Sequence, residues 1–124
     1  VILYAKEWVE YAKKNYGESS KEYYNSLNTT TVAYIKTQDY NHAKNMLETS
    51  GPLCIKLHGK VSEQYATELH NNGRVAQLNG DLQSANTFYE ESLSIHSQIK
   101  TPLSITMLTR ECKGEVELQL KEQL

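Results

Sequence analysis

The strongest constraint on the fold of this 124-residue chain is an internal repeat. When residues 17–58 are aligned with residues 59–100, an offset of 42, identical residues fall at matching positions. Between them, apolar residues pair with apolar residues at helical intervals, as Leu53 does with Ile95. A fixed period of this length is typical of stacked helix pairs, each of which buries its apolar face against the next. The identities include Gly17/Gly59, Ser20/Ser62, Tyr23/Tyr65, Leu27/Leu69, Asp39/Asp81, Ala43/Ala85 and Glu48/Glu90.

Each repeat is predicted to form two antiparallel helices. In the second repeat the first helix runs from about Ser62 to Leu78, and the next runs from about Asp81 to Gln98. Ser62 and Asp81 are predicted N-caps, because their side chains can accept hydrogen bonds from free amides of the first turn. Asn79 and Gly80 can take the left-handed backbone of the short turn, and Gln38 holds the place of the glycine in the first repeat, where it is a poorer C-cap. A turn this short makes the two helices antiparallel neighbours.

Small residues lie on the predicted buried side of the second helix pair. Gly73, Ala85 and Ser92 stand where large side chains would be expected if the helices were far apart. Where two helices cross closely, small residues let the backbones approach. We therefore expect Gly73 to pack against Ala85, with Ser92 at a further contact.

Two segments depart from the regular pattern of the repeat. Gly51-Pro52 interrupts the second helix of the first repeat, and since proline has no amide donor we expect a kink or an early stop near Ser50. Beyond Thr101-Pro102 the residues that mark each repeat are missing. Residues 101–124 are predicted to be a capping helix or the start of a divergent repeat, and we favour the capping helix.

The first 16 residues are predicted to be the second helix of a preceding repeat. Their apolar residues, at positions 1, 4, 5, 8, 9, 12 and 16, follow one helical face with no capping residue before them. We therefore expect the chain to be a piece of a longer protein.

In the second repeat the positions of Leu69, Gly73, Gly80-Asp81, Ala85, Tyr89 and Ser92-Leu93 resemble those of the tetratricopeptide repeat. The 42-residue period is similar to that of the kinesin light chain type. The resemblance implies an all-α fold, an α-α superhelix of about five or six helices. Residues 1–124 would then be a single array, with repeats at 17–58 and 59–100.

The resemblance also implies a binding function. The concave face of such an array, lined by the first helix of each repeat, holds an extended peptide or a partner's helix, so the expected partner is a protein or peptide. The alternative is a regulatory or sensing segment of a larger enzyme, such as a caspase-like protease. The positions that match the binding face are Asn28, Thr29, Val32, Ile35, Lys36, His70, Asn71, Arg74 and Gln77.

Composition argues against several other classes of function. A formal net charge of −2 and a pI near 6.1 give no basic field for nucleic acid or anionic membranes. RNA binding in the groove ranks last, because only Lys36 and Arg74 supply positive charge on the expected face. No apolar run is long enough to span a membrane, and no signal directs the chain out of the cytoplasm, where we expect it to reside.

Catalysis and metal binding are not expected. Cys54 and His58 are four residues apart and could share a helix face, but no third residue is seen to orient the imidazole. The four histidines show no metal-site spacing, and the glycines form no phosphate-binding loop. Cys54 and Cys112 match no redox motif, although a disulfide between them stays open. We therefore expect no catalytic residues, no metal and no cofactor.

The tyrosines are predicted to lie mostly in the core. Six of them fall largely at apolar positions of the repeat, where a tyrosine can bury its ring and keep its hydroxyl near water. A role as a stacking platform for nucleic-acid bases is the less favoured interpretation. The six are Tyr4, Tyr11, Tyr23, Tyr34, Tyr65 and Tyr89.

Overall fold

A computed structural model describes residues 2–124, with side chains from Leu3 onward. This part of the chain forms six α-helices and no strand, so the all-α prediction is confirmed. The chain divides into two compact units, residues 1–57 and 58–124, and each is described by itself. The helices are α1 (Ile2–Tyr16), α2 (Lys21–Lys36), α3 (Tyr40–His58), α4 (Glu63–Leu78), α5 (Leu82–Gln98) and α6 (Leu103–Glu122).

Local capping fixes where the helices begin and end. The Ser62 hydroxyl accepts a hydrogen bond from the Tyr65 amide at 3.1 Å, and Ser20 caps α2 in the same way. Asp81 accepts from the Ser84 amide at 3.3 Å at the start of α5. Gly80 has a φ of 88°, and Gln38 takes the left-handed backbone with a φ of 64°. The predicted caps are therefore confirmed, as are the left-handed turns at Gly80 and Gln38. The left-handed backbone predicted for Asn79 is wrong: its φ is −87°, because Gly80 makes the turn without the steric cost of a side chain.

In the first unit α1 packs against α2. The Thr30 hydroxyl of α2 donates to the Ala5 carbonyl of α1 at 3.3 Å. The Tyr34 ring of α2 stacks on His42 near the start of α3, with the ring centroids 5.0 Å apart. At the other end of α3, Lys56 donates to the hydroxyl of Ser19, just before α2, at 2.9 Å. Helices α2 and α3 are therefore antiparallel.

In the second unit α4 and α5 form an antiparallel pair held at close range. The Ser92 hydroxyl of α5 donates to the Ala66 carbonyl of α4 at 2.8 Å. Gly73 lies against the Tyr89 ring, and a Cβ atom added to Gly73 would lie 2.5 Å from a ring carbon. The predicted close approach is confirmed at Gly73, but its contact is the aromatic ring of Tyr89. Ala85 is fully buried in a cluster with Tyr89 and Cys112 of α6.

Helix α6 packs on α5 and also contacts α4. Three side-chain pairs link α4 to α6, and their sequence separations are 39, 38 and 38 residues. Residue numbers rise together along the two helices, so α6 runs parallel to α4. Its buried face consists of Thr106, Thr109, Cys112 and Val116.

Many of the buried side chains carry hydroxyl groups. Within α2, Thr30 donates to the Ser26 carbonyl and Thr31 to the Leu27 carbonyl, each at 2.8 Å. A buried hydroxyl without a partner costs free energy. A hydroxyl that bonds a carbonyl of its own helix has a partner that does not depend on contact with another helix. The buried hydroxyl residues are Ser26, Thr30, Thr31, Ser50, Ser92, Thr106 and Thr109.

The two 42-residue segments bury equivalent positions. Ala43 and Ala85 are both fully buried, as are Ser92, which was predicted to lie at a helix contact, and its equivalent Ser50. Gly17 and Gly59 both have positive φ angles, 90° and 85°. The two repeats therefore agree in the burial of equivalent side chains as well as in their sequences.

The early stop predicted near Ser50 is wrong. Helix α3 continues through Pro52 to His58. Proline removes one amide donor but leaves the rest of the turn free to bond, and Leu53 and Cys54 beyond it are both buried. Packing on both sides of the proline compensates for the missing hydrogen bond.

The core prediction for the tyrosines is wrong for two of the six. Tyr23, Tyr34 and Tyr89 are buried and Tyr65 is half-buried, but Tyr4 is 79% exposed and Tyr11 is 58% exposed. Among residues 3–16 of α1, only Ala5, Val9 and Ala12 are buried. The predicted face includes Val1, which lies outside the described residues. Helix α1 thus buries its small side chains and leaves its aromatic ones exposed.

Replacing Gly73 with alanine should destabilise the protein. Alanine favours a helix over glycine by about 1 kcal/mol, but its methyl group would overlap the fully buried Tyr89 ring. We expect a net loss on the order of 1–2 kcal/mol in the free energy of unfolding, measured by urea denaturation.

Gly114→Ala is the matched control, because nothing lies within 4 Å of an added Cβ at this mid-helix position of α6. It should raise stability by about 0.5–1 kcal/mol through helix propensity alone. Equal stabilisation by both substitutions would show that α4 and α5 are not in close contact at Gly73.

Candidate functional site

Four of the predicted binding residues lie together on one face of α2. Asn28, Thr29, Val32 and Lys36 line a shallow groove of about 360 Å³, and Ala33 completes it. Val32 is 39% exposed and supplies the accessible apolar side chain of the groove. The spacing of these residues is that of a single helical face. The groove therefore combines an apolar floor with polar groups along its sides.

Asn28 contributes an amide with unused hydrogen-bonding capacity. The side chain is half-buried, and its oxygen accepts no hydrogen bond from any residue that the structure describes. The oxygen is itself buried, and a buried oxygen without a partner costs free energy. Asn28 is therefore a polar group of the groove that still lacks one hydrogen bond among the described residues.

His70, on α4, contacts α6. Its Nδ1 atom lies 2.9 Å from the Thr109 hydroxyl, and its ring is tilted against Tyr89 with the centroids 5.7 Å apart. Burial lowers the pKa of His70 from 6.5 to about 4, with smaller contributions from the positive charge of Arg74 and from the neighbouring imidazole of His96. Burial likewise lowers the pKa of His96, which bonds Thr101 at the end of α5. Both imidazoles are therefore neutral at pH 7.

Arg74 and Gln77 also face α6. An Arg74 guanidinium nitrogen lies 4.0 Å from the Cys112 sulfur. Gln77 donates to the Glu115 carboxylate at 3.2 Å and accepts from the Tyr89 hydroxyl at 2.8 Å. Burial raises the pKa of Tyr89, which keeps its proton available for that bond. These side chains of α4 already have partners in the second unit.

The two remaining predicted residues are not part of either arrangement. Asn71 is 8% exposed and so has little surface to offer a ligand. Ile35 is half-buried and is not among the residues that line the groove on α2. The nine predicted residues thus separate into an accessible set on α2 and a set on α4 that packs within its unit.

The sequence prediction missed one residue of the α2 groove and the residues of α6 that contact α4. Ala33 lies on the same helical face as Asn28, Thr29 and Val32, and its spacing could have revealed it. The contacts of Thr109, Cys112 and Glu115 with α4 were missed because α6 stands 38–39 residues from α4 and does not keep the 42-residue register. The helical spacing of Thr106, Thr109, Cys112 and Val116 was the available signal.

The two cysteines are in the interior. Cys54 and Cys112 do not form a disulfide, and both are buried. Among residues 2–124 no three His, Cys, Asp or Glu side chains are grouped as a metal site would require. The α2 groove is the candidate functional site.

Helices long and apolar enough to cross a membrane are absent from the part of the chain that the structure describes. Compared with models of known protein families and with curated proteins, the chain matches none.

Acid should destabilise the second unit through His70. The folded state holds its pKa near 4, whereas the unfolded imidazole binds a proton at about its usual 6.5. The stabilisation from neutral His70 is complete above pH 6.5 and is lost progressively as the pH falls from 6.5 toward 4. The expected loss is on the order of 2 kcal/mol, measured by urea denaturation across this range.

His70→Gln should flatten that pH dependence, because glutamine can still bond Thr109 but does not titrate. His42→Gln is the control, since His42 is exposed on α3 and pairs with Asp39 at 2.7 Å. Identical pH slopes for the two variants would contradict the role of His70.

Proposed function

We propose that this chain is a helical-repeat binding module of the tetratricopeptide kind, which holds an extended peptide or a partner's helix along α2. Binding is its activity, and no chemical step takes place on it. The observation that carries the proposal is the groove on α2, where four side chains expected to contact a ligand are accessible on one face.

The chemistry of the groove suits a peptide backbone with a small apolar side chain. Val32 provides an apolar surface, beside the buried Ala33, on which one ligand side chain can be desolvated. Asn28 lines the groove with an amide group, which can both donate to and accept from a ligand's backbone. Lys36 places a positive charge at one end and favours a ligand that carries an acidic group there.

The face of α4 supports ligand binding less well. His70, Arg74 and Gln77 contact α6, so a ligand at that face would have to replace contacts that already exist. With Arg74 directed to Cys112, Lys36 is the positive group that remains among the predicted residues. This distribution of charge disfavours RNA, which needs several phosphate contacts.

The alternative proposal is a regulatory segment of a larger enzyme. In this alternative a ligand binds the same groove, and its binding regulates the activity of the enzyme.

Selection of random peptides on the folded chain would test the groove directly. Peptides that bind the wild-type protein should bind Val32→Arg at least about tenfold more weakly, because arginine fills the apolar floor and adds charge. Lys36→Ala should weaken mainly the acidic peptides. Binding is measured by fluorescence anisotropy, and amide chemical shifts should change chiefly at residues 28–36.

Glu48→Ala, at an exposed position on α3, is the control and should bind like wild type. Selected peptides that bind Val32→Arg with unchanged affinity would contradict the proposal. Chemical shift changes confined to other helices would contradict it as well.

A further inference from the structure

The sequence contains two Asn-Gly pairs, and the structure places them in different surroundings. Asn72-Gly73 lies inside α4, whereas Asn79-Gly80 lies in the turn between α4 and α5. An asparagine followed by glycine is prone to spontaneous deamidation, because glycine has no side chain to hinder attack by its own amide nitrogen on the preceding side chain. The two pairs therefore share one chemistry in two different environments.

Deamidation at such a pair proceeds through a cyclic imide. The backbone nitrogen of the glycine attacks the side-chain carbonyl carbon of the asparagine and closes a ring. The side-chain nitrogen leaves as ammonia, carrying the proton that the glycine amide gives up. Water then adds to either carbonyl of the imide and opens the ring. The product is aspartate or isoaspartate, and in isoaspartate the main chain runs through the side-chain carbonyl.

The Asn79-Gly80 pair is open to this attack. Asn79 is exposed, and its side chain bonds no residue that the structure describes. Gly80 has a φ of 88°, and nothing lies within 4 Å of the place that a Cβ atom would occupy, so the peptide group has room to rotate. The Gly80 amide donates to the Gln77 carbonyl at 3.1 Å, a bond of the turn itself. An exposed turn opens locally at little cost in free energy.

The Asn72-Gly73 pair is held closed by the fold. Asn72 is half-buried, and its side-chain nitrogen donates to the Glu68 carbonyl at 2.9 Å. Gly73 is buried, and its amide belongs to the hydrogen-bond ladder of α4. The Tyr89 ring covers Gly73 so closely that an added Cβ atom would lie 2.5 Å from a ring carbon. Rotation of this peptide group therefore requires α4 to open in its interior and to separate from α5.

We propose that Asn79 is a site of spontaneous deamidation in the folded protein, and that the packing of α4 on α5 protects Asn72. The free energy of local opening ranges from near zero at exposed turns to the free energy of global unfolding in packed helices. Asn79 reacts through the first kind of opening and Asn72 through the second. We therefore expect the Asn79 amide to be lost at least about tenfold faster than the Asn72 amide.

The reaction weakens the turn in which it takes place. Either product adds a carboxylate at the C-terminal end of α4, where the helix dipole disfavours negative charge. The new carboxylate is two residues from Asp81, whose own carboxylate caps α5. Isoaspartate also lengthens the main chain inside a turn that the Asp81 amide closes by donating to the Ala76 carbonyl at 2.8 Å. Deamidation at Asn79 therefore loosens the connection between α4 and α5 as the protein ages.

Mass spectrometry of aged protein tests both sites in one sample. Trypsin cleaves after Arg74 and so places Asn72 and Asn79 on different peptides. After incubation of the folded protein in neutral buffer, Asn79 should be converted to aspartate and isoaspartate while Asn72 keeps its amide. Incubation in urea is the control, because the unfolded chain exposes both pairs alike, and there the two amides should be lost at similar rates.

Variants at Asn79 separate the effects of the reaction on stability. The urea midpoint of the wild-type protein should fall as isoaspartate accumulates. Asn79→Gln is the matched control, since glutamine keeps an exposed amide but closes the corresponding larger ring slowly, and its midpoint should not change with age. Asn79→Asp carries the new charge from the start and distinguishes its effect from that of the longer main chain.

Equal loss of the two amides in the folded protein would overturn the proposal. So would a difference between Asn72 and Asn79 that persists in urea, because the local sequence would then set the rates. Retention of Asn79 in folded protein, under conditions in which urea allows its loss, would show that the turn protects it and would overturn the proposal as well. Aged protein rich in isoaspartate that unfolds at the midpoint of fresh protein would contradict the weakening of the turn.

Discussion

The second unit depends on the close contact between Gly73 and the ring of Tyr89. With no side chain at Gly73, α4 and α5 approach until the Ser92 hydroxyl reaches the Ala66 carbonyl 2.8 Å away. The fully buried Tyr89 ring then extends to Gln77, and its hydroxyl donates a bond to that side chain. The same ring packs in the cluster of Ala85, Cys112 and Val116 that holds α6. The absence of a side chain at Gly73 therefore determines how closely α4, α5 and α6 pack.

Features that depend on local chemistry could be predicted from the sequence. Ser62 and Asp81 cap their helices, and Gly80 takes its left-handed turn, because each acts on backbone groups within a few residues. The groove on α2 was also predictable, since helical spacing alone places Asn28, Val32 and Lys36 on one face. Periodicity fixes which residues share a face.

Periodicity does not fix what covers a face, and the results that the sequence did not anticipate share that cause. Tyr4 and Tyr11 follow the apolar pattern but are exposed in the structure. His70 and Arg74 stay predicted binding residues, and their contacts with α6 could not be read from the spacing of α4. Pro52 is expected to break a helix, yet α3 continues past it to His58. The burial of Leu53 and Cys54 stabilises the helix beyond the proline. Each of these outcomes is decided by tertiary contacts that a single sequence does not encode locally.

The hydroxyl-rich interfaces have a thermodynamic consequence. Serine and threonine side chains bury fewer apolar atoms than leucine or isoleucine, and unfolding returns their polar atoms to water. Newly exposed apolar surface raises the heat capacity of unfolding, whereas polar surface lowers it. With Thr30, Thr31, Ser50 and Ser92 inside, the heat-capacity increment should fall below the usual figure of about 12–15 cal/mol/K per residue. A smaller heat-capacity increment makes a stability curve broader and flatter, so we expect warming and cooling to change the folding free energy of this protein only gradually.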